Sequence, residues 1–362
     1  SVSLGDILDQ EVAIRLLSGV ARGRRVPNAM LFWGRGGVGK RLAAMELIKA
    51  LNCRQGGGEA CEGCLSCRKI RSGNHPDVKT VGPGGKSRQI VLDQVDEVIE
   101  YSSLRPFESS WRAVVFQDAD RMNLAAQNHF LKTLEEPPGN SLFLLLSEYP
   151  RMLLPTIRSR CQMVRFRRLR PETVVAFLKR ERDVADDTAE AIAHLSEGQM
   201  SRAMDLVDSP KRSVAIDFVR RLSSGEDPSE LAEEFAGVLG DQRKRFEAEV
   251  ESELAFEHVD EASRADIEAM KELRLGHLNA LVKRDILEYL YLFQTWYRDE
   301  LVYQATGDAW RVLNRDQLDC LQRPSSDPEE KIKAVERAFK QLDRFINEER
   351  VFRVLFFSLA AK

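Results

Sequence analysis

Ala29-Met30-Leu31-Phe32-Trp33-Gly34-Arg35-Gly36-Gly37-Val38-Gly39-Lys40-Arg41 is an apolar run that breaks on glycine and closes on a lysine. The apolar part reads as a buried strand, and Leu42 to Leu51 reads as the helix that the loop feeds. From Gly34 to Lys40 the spacing fits G-x-x-x-x-G-K, in which backbone N–H groups and a lysine surround phosphate oxygens at a helix N-terminus. The residue after the lysine is Ser or Thr in a magnesium-dependent site, because its hydroxyl binds the ion. Here it is Arg41, a cation that cannot ligate a metal.

Working outward, Ala13, Leu16, Leu17 and Val20 recur at helical spacing before the strand. Apolar runs at 78–81, 113–116, 142–146 and 163–166 alternate with helical patterns at 90–101 and 123–136. That alternation predicts an α/β domain with a parallel sheet over 1–167. Past Arg170-Pro171-Glu172 the pattern turns helical. Short amphipathic pieces suggest a helical lid subdomain over 168–207, and longer ones an all-α domain over 208–362, with breaks near 225–228, 306–307 and 323–326. Residues 241–275 interleave acidic and basic side chains, as expected of a solvated helical arm.

The chain has 362 residues, 43% hydrophobic and 31% charged, with a net charge of −3, so nucleic-acid contact would need a local basic patch. The first residues lack a basic stretch followed by an apolar one, and no run reaches the roughly 18 apolar residues that span a bilayer. The expectation is a cytoplasmic protein that makes no membrane contact.

Cys53, Cys61, Cys64 and Cys67 are spaced C-x7-C-x2-C-x2-C, which suits a structural tetrahedral zinc; an iron–sulfur cluster, disulfides or unpaired thiols are the alternatives. His75 is superfluous as a ligand and reads as a surface histidine.

Two further runs stand out, Leu131-Lys132-Thr133-Leu134-Glu135-Glu136-Pro137-Pro138 and Thr156-Ile157-Arg158-Ser159-Arg160-Cys161. With Gly34 to Arg41, the four cysteines and Gly198 through Ser201-Arg202-Ala203, they make the chain resemble the clamp-loader subunits of bacterial DNA polymerase III, an AAA+ family. The delta-prime branch is a closer likeness than the gamma/tau motors. The resemblance covers residues 4–207. Beyond them it rests on Trp296-Tyr297-Arg298-Asp299 and Phe345-Ile346-Asn347.

The resemblance implies roles residue by residue. Counting back from Leu131 without a gap puts Gln117 where clamp-loader ATPases carry the magnesium-binding Asp, and Asp118 where they carry the water-activating Glu. A one-residue shift would move Asp118 to the metal position and Ala119 to the acid. Either way hydrolysis is expected to fail: Gly34, Gly37, Gly39, Lys40, Arg41, Gln117 and Asp118 form a degenerate nucleotide site in which ATP or ADP binding stays open and magnesium is not expected. Ser147 and Arg202 fall at the two sensor positions.

Arg160 takes the place of the arginine that reaches a neighbouring subunit's ATP in trans, with Arg158 a second candidate. The implied function is a non-hydrolysing, stator-like clamp-loader subunit in a hetero-pentamer with gamma/tau and delta subunits, acting on the sliding clamp and primed DNA, with the all-α domain as a collar. Two alternatives are a gamma/tau-like ATPase motor and a zinc-bearing nucleic-acid-binding protein.

Overall fold

A computed structural model describes residues 3–23, 25–84, 88–253, 264–322, 327–344 and 347–360. It divides into two compact units, 1–173 with 198–201, and 174–197 with 202–362.

The first unit is built on a five-stranded parallel sheet of β1 (Ala29–Trp33), β2 (Val78–Val81), β3 (Arg112–Phe116), β4 (Ser141–Ser147) and β5 (Gln162–Arg165). In space they run β2-β3-β4-β1-β5, so each connection between neighbours crosses over through helix. The helices of this unit are α1 (Glu11–Ala21), α2 (Lys40–Asn52), α3 (Leu65–Arg71), α4 (Leu92–Ser103), α5 (Leu124–Glu135) and α6 (Pro155–Arg160). Strands β3 and β4 are buried along their whole length, which explains the apolar runs 113–116 and 142–146 within them. On one face, Phe130 of α5 packs edge-on between Phe116 (centroids 5.0 Å apart) and Phe143 (5.2 Å). Burying each such ring contributes about 1.5–3 kcal/mol.

The second unit is helical, with the first residues of α7 and α9 counted in the first: α7 (Pro171–Arg182), α8 (Asp186–Leu195), α9 (Met200–Asp208), α10 (Lys211–Ser224), α11 (Pro228–Glu253), α12 (Arg264–Thr306), α13 (Leu318–Leu321), α14 (Pro328–Asp343) and α15 (Glu348–Ala360). Its core centres on Phe235, whose ring lies 4.7 Å from Phe352, 5.0 Å from Tyr289 and 5.2 Å from Phe218. Buried Asp299 accepts the N–H groups of Leu313 (2.9 Å) and Asn314 (2.7 Å), pinning the turn after α12.

The expected breaks fall at Gly225, which caps α10 with φ 89°, and at Gly307 after α12. The charged stretch 241–275 is helical where described, and Phe246 and Val250 are buried, so that part of α11 packs along one side. The stretch 254–263 lies outside the described residues, as do 323–326 and 345–346. No helix among the described residues is long and apolar enough to cross a membrane.

Candidate functional site

The phosphate loop leaves β1 in conformations that favour glycine. Gly37 and Gly39 have φ 67° and 98°, and a Cβ on Gly34 would stand 2.3 Å from the Phe166 carbonyl oxygen. Gly34 N donates to Ser147 O at 3.2 Å, joining the loop to the end of β4. Lys40 Nζ donates to the carbonyls of Gly34 and Arg35, both at 2.5 Å. Burial lowers the Lys40 pKa, opposed by the charges of Glu148, Asp118 and Asp120. Arg41 is exposed on the first turn of α2.

Gln117 follows β3, with its N–H on the Val81 carbonyl at 2.7 Å, and exposed Asp118 holds a left-handed φ of 47°. Ser147 is 1% exposed, and its Oγ has no hydrogen-bond partner among the described residues. The structure thus gathers Gly34, Gly37, Gly39, Lys40, Gln117, Asp118 and Ser147 at the carboxyl ends of β1, β3 and β4. Met200 N closes on Gly37 O at 2.9 Å, bringing residues 198–201 onto the loop. Arg202 belongs to the second unit, where its guanidinium donates to Glu288 Oε1 (2.9 and 3.0 Å) and lies 3.8 Å over the Tyr291 ring.

The four cysteines come together where α2 ends and α3 begins. Their Sγ atoms all lie within 4.8 Å of one another; four Zn–S bonds of about 2.3 Å in a tetrahedron require sulfurs about 3.8 Å apart. The N–H of Cys64 points to Cys61 Sγ at 3.3 Å and that of Cys67 to Cys64 Sγ at 3.4 Å, contacts that stabilise thiolate. Burial opposes ionisation of Cys64, yet N–H groups of Cys67 and Arg54 and the neighbouring thiols pull its pKa down to about 6. The donor set suits a soft or borderline tetrahedral ion such as zinc and offers no open coordination position.

Lys49 ties this module to the phosphate-loop helix, pairing with Glu46 at 2.7 Å and with Glu62 inside the cysteine loop. His75 departs from the surface position expected of it. It is buried, its Nδ1 accepts Asp77 N at 3.1 Å and its Nε2 lies 3.2 Å from Ser66 Oγ, because the chain turns inward there to deliver Asp77.

At the opposite end of the sheet, Arg160 ends α6. Its NH1 donates to Thr156 O at 3.2 Å and its NH2 to Glu135 at the end of α5. Arg160, Glu135, Arg15, Arg25, Asn28 and Gln162 line a cleft of about 820 Å³. Arg158 is half-buried, with Nε unpartnered among the described residues. Cys161 is buried, which pushes its thiol up to about 12 and makes it inert at neutral pH.

The profile of the family described as "DNA polymerase III, delta subunit" matches residues 9–170. "DNA polymerase III subunit delta'" of Bacillus subtilis (strain 168) is 37% identical over 197 residues, 54% of this chain and 59% of that protein. Over this part the chain is similar to DNA polymerase III delta-prime subunits. "DNA polymerase III subunit delta'" of Escherichia coli (strain K12) is 32% identical over 180 residues, covering 49% of this chain and 54% of that one. "DNA polymerase III subunit tau" of Bacillus subtilis is 26% identical over 321 residues, 87% of this chain and 52% of that one. The chain spans about half the length of these curated relatives.

Sequence reasoning missed several residues that hold the first unit in shape. Asp77 accepts the N–H groups of Phe107 (2.6 Å), Glu108 (2.8 Å) and Ser109 (3.1 Å) and pairs with buried Arg112 at 2.9 Å, fixing the loop that leads into β3. Although burial works against it, those donors hold the Asp77 carboxyl below the usual range. An arginine opening an otherwise apolar strand, Arg112, was the one available signal. Lys49 carried none, since a lysine on an amphipathic helix reads as solvated.

Proposed function

We propose that this chain is a non-hydrolysing, stator-like subunit of a DNA polymerase III clamp loader that donates Arg160 to a neighbouring motor subunit's ATP site. The observation that carries the reading is Arg41 on the first turn of the phosphate-loop helix, where the magnesium-binding hydroxyl belongs. Gln117 at the end of β3 removes the second ligand, since a neutral amide is a poor partner for a hard divalent cation. In trans, Arg160 stabilises charge on the transferring phosphoryl group.

The same reading takes the chain as an α/β module, a lid over 168–207 and a collar over 208–362, cytoplasmic and assembled with gamma/tau and delta subunits in a hetero-pentamer that acts on the sliding clamp and primed DNA. Zinc on Cys53, Cys61, Cys64 and Cys67 is structural. Lys40 and the loop amides are the residues that would hold a nucleotide, without magnesium.

A second reading, a gamma/tau-like motor, draws on Glu148, Asp118 and Asp120, whose charges act on Lys40 and which could supply an ion with oxygen ligands. Magnesium-dependent ATP turnover by the purified chain separates the two. The stator reading expects a rate indistinguishable from blank, while steady turnover abolished by Lys40→Ala supports the motor.

A further inference from the structure

The cleft around Arg160 has an internal order that a lone trans arginine does not require. A guanidinium has five N–H donors in one plane. Two of Arg160's are used inside the chain, on Thr156 O and Glu135, which fixes the plane of the fork and leaves three without a partner among the described residues. Both anchors sit in end turns of helices of the first unit, Glu135 in α5 and Thr156 in α6. The pair is part-exposed, 34% and 50% for the two side chains, so it adds little stability. Its effect is geometric.

Pairing with Glu135 also cancels the charge that would draw an anion to Arg160. Arg15 of α1 and Arg25, ahead of β1, line the same cleft, so three guanidiniums face one carboxylate and the cleft stays cationic.

We propose that this cleft receives a phosphate-bearing ligand held by a second protein, with Glu135 as the positioning residue for the Arg160 fork and Arg15 and Arg25 as the attracting rim. The inference rests on the trans role of Arg160 and adds the residues that make it work. Orientation acts on the chemical step, because a misplaced fork stabilises the transition state poorly. Rim charge acts on encounter and affinity, and is screened by salt.

The test is steady-state ATPase of the complex reconstituted with the motor and delta subunits of the same organism, titrated with this chain. Glu135→Ala is expected to lower kcat about tenfold with the half-saturating chain concentration unchanged, and Glu135→Gln, whose amide oxygen still accepts, to retain most of the rate. Arg15→Ala with Arg25→Ala should leave kcat intact and raise the half-saturating concentration several-fold, roughly, at low salt, the difference fading at about 0.5 M salt.

Wild-type kcat in Glu135→Ala, with Arg160→Ala still impaired, overturns the positioning role and leaves the trans arginine standing. Unchanged ATPase in Arg160→Ala overturns both. Equal losses in Glu135→Ala and Glu135→Gln with a lowered Tm mark a purely structural pair and also overturn the proposal. A fall in kcat on removing Arg15 and Arg25 overturns the rim assignment.

Discussion

Lys40 follows the carboxyl end of β1, Arg160 precedes the amino end of β5, and the two cations are kept in opposite conditions. Lys40 is turned back on the carbonyls of its own loop, with Met200 N–H closing on Gly37 beside it. Arg160 is held by two anchors at the lip of a cationic cleft. On the reading proposed above, the loop end keeps the backbone shape of a phosphate loop with Arg41 and Gln117 at the metal-binding positions, and the cleft end keeps the arginine that acts in trans. A fold can retain the geometry of a site and lose the reaction, because glycine turns and strand pairing hold the backbone whatever occupies the two ligand positions.

The largest effect that would sharpen this contrast comes from the cysteine module, which extends the loop-bearing helix α2. Structural zinc supplies apparent binding energies on the order of 10–16 kcal/mol in small domains. Cys64→Ser is therefore expected to abolish stoichiometric zinc by elemental analysis and to lower the Tm of the first unit's transition by more than any surface substitution. Retention of one zinc per chain would contradict the assignment.

Next in size is Arg112→Met, which strands buried Asp77; breaking such a pair costs about 3–5 kcal/mol. Urea unfolding should show a lowered midpoint with the slope unchanged. Acid should reproduce part of that loss. Since the folded Asp77 pKa is depressed, its contribution is present above the unfolded value of about 3.9 and disappears as pH falls through the folded value. Asp77→Asn should flatten the stability profile in that window.

The smallest expected effect is none. Arg41→Thr with Gln117→Asp should leave turnover at background in a phosphate-release assay, because Asp118 is one methylene shorter than the glutamate that reaches the attacking water. Appreciable turnover would show that the loop end is two substitutions from a motor and would collapse the contrast with Arg160.

The architecture was legible because parallel strands buried on both faces read as unbroken apolar runs, and the glycine loop announced the strand-to-helix turn. Strand limits moved by a residue or so, at ends where pairing outlasts the apolar pattern. The cysteine cluster was legible from spacing alone. The buried charges were not: Lys49, Asp77 and Arg112 find partners 13 to 35 residues away, which no local pattern encodes. His75 was misread for the same reason, as its burial follows from Asp77. Glu135 lay in plain view inside a quoted motif, yet its contact with Arg160 depends on where α5 and α6 end in space.

The most direct test of the central claim pairs two ATPase assays on the same preparation, the chain alone and the complex reconstituted with motor and delta subunits, each with wild-type protein and Arg160→Ala. The account predicts no turnover by either form alone, intact assembly by native mass measurement, and a clear fall in turnover by the complex carrying Arg160→Ala, since a trans arginine is worth about 10³–10⁵ in rate at the phosphoryl-transfer site it serves. Turnover by the isolated chain, or full activity of the Arg160→Ala complex, would contradict it.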